Sequence, residues 1–149
     1  MSRVWYGSMN NRMEENKTFC DEINVGTGMT EYSWSDRHAY EVIDVKDQKH
    51  VTVRRMNHRH VGDGCMDNNW ELVSNPENPT REMVKRGKYW YDEVTITADL
   101  LDDDRIETKL FLAFNDVDPD KLRSKGVIKK YHRANVSFGH ASYYYDYEF

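Results

Sequence analysis

VGTGMTEYSWSDRHAYEVIDVKDQKHVTVRRM, residues 25–56, decides the fold. Early in this stretch Thr30, Tyr32 and Trp34 fall on one side of an extended chain, and Met29, Glu31 and Ser33 on the other. A period of two marks a β-strand. Ser35 and Asp36 supply turn chemistry. The β-branched run over residues 39–45 reads as a second strand, and Asp47-Gln48 turns it into a third over residues 49–56. Three strands joined by short turns make a β-meander.

Working outward, the flanking segments have to join that sheet. Residues 8–18 are polar and Asn-rich, so 1–18 reads as a loose arm of a single domain spanning 1–149. A Gly/Asp/Asn loop over residues 60–70 leads into a short strand, "WELVS". Pro76 and Pro79 make the next segment irregular, because each removes a backbone donor. "REMVKRGKYWYDEV" reads as a hairpin with Gly87 in its turn. Thr97 is placed to cap a short helix, "ADLLDDD", whose Asp99 favours its positive end. "RIETKLFLAF" fits strand or helix. Asp118, Pro119 and Gly126 bracket a clearer helix, after which residues 126–138 return as a strand. In "YYYDYEF" Tyr143, Tyr145 and Tyr147 alternate with Tyr144, Asp146 and Glu148, which predicts a final strand docked on the sheet. The expected fold class is α+β and strand-dominated: a twisted antiparallel sheet or small, partly open β-barrel with one or two short helices.

Composition narrows the possibilities. Charged residues are 32% of the chain and aromatics 13%, so rings must supply much of the core. The longest apolar run, residues 110–114, is far too short for a membrane span, and the first residues show no apolar signal segment. Two cysteines, Cys20 and Cys65, suit a reduced compartment, and the expected location is cytoplasmic. The net charge of −5 is unevenly spread. Residues 92–120 hold ten acids against two bases, whereas residues 121–133 hold six bases and no acid. Residues 46–60 form a second basic block. Such blocks either pair within the fold or steer partners.

The chemical motifs are weak. Gly26-Thr27-Gly28 lacks the third glycine and following helix of a dinucleotide loop. His58, His60, Asp63 and Cys65 are donor types that zinc accepts, but the second Cys/His pair of a structural site is missing. Asp36, Arg37 and His38 are adjacent and point apart rather than converge. The sequence therefore reads as that of a non-enzyme, with no catalytic residue, metal or cofactor assigned.

"VGTGMT", "YSWSDRHAYEVIDV", the Gly64-Cys65-Met66 loop before "WELVSNPEN", and the terminal "YYYDYEF" together resemble a family of small uncharacterised proteins encoded by phages and prophages of gut bacteria. The resemblance covers the first half of the chain and its last dozen residues. Two positions depart from the family pattern: Cys65 between glycine and methionine, and Glu148 in place of a serine. What it implies is a phage accessory protein that counters host defence. The partner would be a host defence protein such as a CRISPR effector, bound in the manner of an anti-CRISPR, in the host cytoplasm. Asp99, Asp102, Asp103, Asp104 and Tyr144 are the candidate partner-binding residues, the acids competing for a basic nucleic-acid channel. The alternatives are a nucleotide-signal sponge, with Arg54 or Arg55 on phosphate, and direct nucleic-acid binding by the Lys49–Arg59 strand, against which the pI near 5.7 argues.

Overall fold

A computed structural model describes residues 17–33, 35–61 and 68–145. Trp34, Asp63, Cys65, Tyr147, Glu148 and most of the N-terminal arm, all singled out in the sequence, lie outside them. The meander forms as read: β1 (Gly28–Tyr32), β2 (Arg37–Asp47) and β3 (His50–Arg55) pair antiparallel in succession. The Asp47 carboxylate accepts the Lys49 backbone N–H at 2.8 Å and closes the second turn. β2 is irregular, with register shifts at Val42/Asp44 and Val45/Asp47. Each shift sets an extra residue against its partner strand, and such bulges increase local twist and bend the strand.

The chain then leaves the sheet. β4 (Asn57–His60) and β5 (Trp70–Val73) form a separate two-stranded ribbon. β6 (Thr80–Arg86) returns beside β3 and turns at Gly87, φ 66°, into β7 (Tyr89–Thr97). A single 3-10 turn, Ala98–Asp102, follows. Thr97 occupies its cap position but makes no side-chain capping bond. "IETKLFLAF" resolves as helix α1 (Ile106–Phe114), and α2 (Pro119–Lys125) has the expected cap, with Asp118 Oδ1 accepting the Asp120 N–H at 3.0 Å. Among the described residues no helix is long and apolar enough to cross a membrane.

The last strand departs from the sequence reading. Residues 126–138 read as one strand but serve as two: β8 (Val127–Ala134) pairs with β7, and β9 (Val136–Phe138) pairs with β1. The seven strands run in the order β8-β7-β6-β3-β2-β1-β9, so a single residue, Asn135, links the two edges. Its carbonyl accepts the Tyr32 N–H at 2.8 Å. A sheet whose edges are one length of chain has to curl, and the result is an antiparallel half-barrel. Its concave side holds Met29, Val42, Val51, Val53, Met83 and Val136, with Trp90 and Phe138 packed ring on ring at 4.4 Å.

The tail differs as well. No strand forms over residues 143–145; Tyr144 makes one isolated bridge to Arg37, and Tyr145 is exposed. The preceding residues cross the convex face of β1. Thr30 Oγ1 donates to the His140 carbonyl at 2.9 Å, and the Ser142 N–H donates to Thr30 Oγ1 at 3.1 Å. β1 is thus covered on both faces. Gly28 permits the crossing, since a Cβ there would meet the Ala141 nitrogen at 2.4 Å and the His140 carbonyl carbon at 2.6 Å. Both are backbone atoms, so neither can swing aside. Gly28→Ala is therefore expected to destabilise the protein by about 1–3 kcal/mol, the usual range for overpacking, measured by urea unfolding. Parental stability in this variant would mean that the tail does not lie over β1.

Candidate functional site

Helix α1 presents its polarity the wrong way round for a core helix. Its buried residue is Thr108, and Asn115, just past its end, is also buried. Ile106, Leu110 and Phe114 lie four residues apart on one stripe and are 71%, 64% and 80% exposed, with Phe111 beside them. Residues at i and i+4 share a helix face, so three large apolar side chains project together into solvent. Polar contacts hold the other side: Asn115 Nδ2 donates to the Phe111 carbonyl at 2.8 Å, and Asn115 Oδ1 meets His132 Nε2 at 2.6 Å.

The acids assigned from sequence lie in the chain just ahead of this helix but do not act alike. Asp99, Asp102 and Asp104 are exposed. Asp103 instead builds the start of α1. Its carboxylate accepts from the Arg105 guanidinium and backbone N–H and from Thr108 Oγ1 at 2.9 Å. Those bonds, the Arg105 side chain first, hold its pKa well below the usual carboxylate range. Glu107, Asp116, Asp118 and Asp120 are exposed as well. Tyr144, the other assigned residue, is half-buried at its bridge to Arg37, at the start of β2. The stripe itself was not assigned from sequence. Its four-residue spacing was visible, but nothing in the sequence indicates which face of a short helix turns inward.

Beside Phe114 lies a cleft of about 590 Å³ lined by Arg81, Asp92, Val94 and His132. It opens where β6 and β7 cease to pair beyond Glu82 and Glu93. Arg81 contacts Glu31 at 2.8 Å and Asp92 at 2.5 Å, and lies 5.0 Å from the Tyr40 ring centroid. Burial disfavours its charge, but the Asp92 hydrogen bonds and the charges of Glu31 and Asp92 outweigh that and raise its pKa further. The Tyr40 hydroxyl is raised by burial and by Glu31. This is a closed ionic group that braces the inner wall.

The histidines are gathered elsewhere. His58 stacks on Tyr143 at 3.7 Å, and Trp70 meets His58, His60 and Tyr143 edge-on. Tyr143 thus ties the tail to the β4–β5 ribbon. Among the described residues no three His, Cys, Asp or Glu side chains come together as metal ligands. In the basic block of residues 46–60, Arg54 pairs with Glu41 at 3.3 Å and Arg59 with Glu71, while Arg55 bonds the His38 ring at 3.0 Å. Against known proteins the chain finds no significant match, whether to a family model, a curated protein or a solved structure.

Two outcomes follow from this geometry. Asp103→Asn should fray α1 and reduce helical circular dichroism, whereas Asp102→Lys should leave the spectrum and melting temperature unchanged, since an exposed charge contributes little; equal spectra for the two variants would show that the Asp103 bonds to Arg105 and Thr108 do not hold the start of α1. The second concerns pH. His58 is lowered from 6.5 by burial, then Arg55 and His38, and His38 by burial, then Arg55. The unfolded chain therefore binds these protons more tightly, so their contribution to stability is full above 6.5 and is lost as pH falls through 6.5 toward the lower folded values. Melting temperature should drop between about pH 7.5 and about pH 5.5, and His38→Gln with His58→Gln should flatten that drop.

Proposed function

We propose that this protein is a non-enzymatic binding protein that seats helix α1 in an apolar groove of a basic partner. The carrying observation is the outward stripe Ile106, Leu110 and Phe114 on a helix whose own buried contacts are polar. Helix-in-groove recognition uses anchors spaced by three or four residues. Burying a Leu, Ile or Phe side chain contributes about 1.5–3 kcal/mol, so three anchors suffice to offset much of the cost of association. The exposed acids Asp99, Asp102, Asp104 and Glu107, ahead of the helix and in its first turn, favour a basic partner and speed its encounter.

The resemblance to phage-encoded proteins supplies the biological setting: a counter-defence inhibitor in the host cytoplasm, directed at a host defence protein. A CRISPR effector, with its positively charged nucleic-acid channel, is a partner of the right charge. Such an inhibitor acts by occupancy and needs no catalytic group.

The test is affinity capture from bacterial lysate by the parent and by a Leu110→Asp/Phe114→Asp variant, with the captured proteins identified by mass spectrometry. A basic protein should be retained by the parent and lost, by at least tenfold, from the variant. Both side chains are exposed, so the melting temperature of the variant should match the parent. Equal retention by the two would refute the stripe as the binding face.

A further inference from the structure

On the convex face of the sheet, β6, β7 and β8 present a second surface of opposite character. The register places Val84 beside Tyr91, Tyr91 beside Arg133, and Glu93 beside Tyr131. Side chains alternate across a strand, so Tyr89, Tyr91 and Tyr131 share the side opposite to buried Trp90 and Ala134. All three rings are half-buried, while Arg86, Lys88 and Arg133 around them are exposed. Arg133 lies over the Tyr89 ring at 3.8 Å, Lys88 over the same ring at 5.3 Å, and Arg86 over Tyr131 at 4.4 Å.

Acids on this face are already engaged. Glu82 accepts from Thr52 Oγ1 at 2.9 Å and contacts His50 at 3.2 Å. Glu93 contacts Lys129 at 3.3 Å and accepts from the Tyr131 hydroxyl at 3.2 Å. At its far end β8 borders a groove of about 490 Å³ against α2, lined by Lys121, Lys125, Lys129 and Lys130 together with Asp116 and Asp118. Alternation along β8 puts Lys129 and Arg133 on the face of Tyr131 and turns Lys130 to the other side, so the two bases flank the ring about 13 Å apart along the strand.

We infer that this face binds single-stranded nucleic acid. Tyrosine rings offer bases a stacking platform that every base can use, and the flanking Arg and Lys side chains are placed to meet the phosphates on either side. Guanidinium groups resting on the rings exchange one π-face for another when a base enters, and keep their charge for the backbone. A duplex hides its base faces, so the rings discriminate against it. The net charge of −5 does not decide the question, because it averages over the whole chain, whereas Arg86, Lys88 and Arg133 gather around the rings of this one face.

The experiment is fluorescence anisotropy with labelled 12-mers of oligo-dT and oligo-U and with a 12-base-pair DNA duplex. Both single strands should bind at low salt, with affinity falling as salt rises, and the duplex should bind more weakly; dT against U then distinguishes DNA from RNA through the 2′-hydroxyl. Tyr91→Leu should weaken binding roughly tenfold by removing a stacking partner. Arg133→Gln with Lys88→Gln, all exposed positions, should weaken it and flatten the salt dependence. The Leu110→Asp/Phe114→Asp variant should bind like the parent, which separates this surface from the helix. Absence of binding at low salt, equal duplex binding, or indifference to both the Tyr91 and the Arg133/Lys88 changes would overturn the inference.

Discussion

The covalent continuity of β8 and β9 through Asn135 is the constraint on which the structure depends. With one stretch of chain serving as both edges of a seven-stranded sheet, the sheet cannot lie flat. The bulges of β2 supply the bend at mid-sheet, and the packing of Trp90 on Phe138 closes the interior from strands near opposite ends of the order. Edge exposure is managed by the same device. β9 is covered by β1 and by the Phe19 and Lys17 backbone, so a free edge remains chiefly along β8, where Lys129 and Arg133 oppose edge-to-edge association.

The hairpins were legible because their signals are local. Alternation over residues 29–32, Asp47 in the turn and Gly87 at positive φ each act within a few residues. The change of partner at Asn135 was not legible for a particular reason: Ile128, Lys130, His132, Ala134, Val136 and Phe138 keep one unbroken period-two series. Nothing in that pattern records which strand lies alongside. The tail failed for the opposite reason. Its order comes from contacts distant in sequence, Thr30 with Ser142 and His58 with Tyr143, and alternation cannot anticipate them.

At the candidate site, composition was the better guide and residue roles the poorer one. The acidic surroundings of residues 99–104 were visible as a run of aspartates, yet Asp103 turns its carboxylate inward on Arg105 and Thr108. Four like residues in six positions carry no mark of which one will bond the residues at the start of a helix. The apolar stripe was hidden similarly. An exposed Leu110 and a buried one are the same letter, and only the burial of Thr108 and Asn115 on the opposite side shows that α1 was laid down with its apolar face outward.

The distribution of charge now has a structural cause. β7 carries the chain into the acidic segment and β8 carries it back with the bases, and the two are held in register over eight residue pairs. Simple neutralisation would set acid against base along that ladder, but among these residues the Glu93–Lys129 contact is the ion pair formed between the two strands. Asp92 instead turns to Arg81 on the concave side, Asp103 turns to Arg105, and Arg133 rests on Tyr89 on the convex side. Alternation along each strand sends neighbouring residues to opposite faces. The two blocks meet in the groove where Asp116 and Asp118 face Lys121, Lys125, Lys129 and Lys130, and elsewhere keep different company, aspartates ahead of an apolar helix and Arg133 among three tyrosines. A net charge of −5 averages the two and describes neither, which is why partner chemistry has to be read face by face.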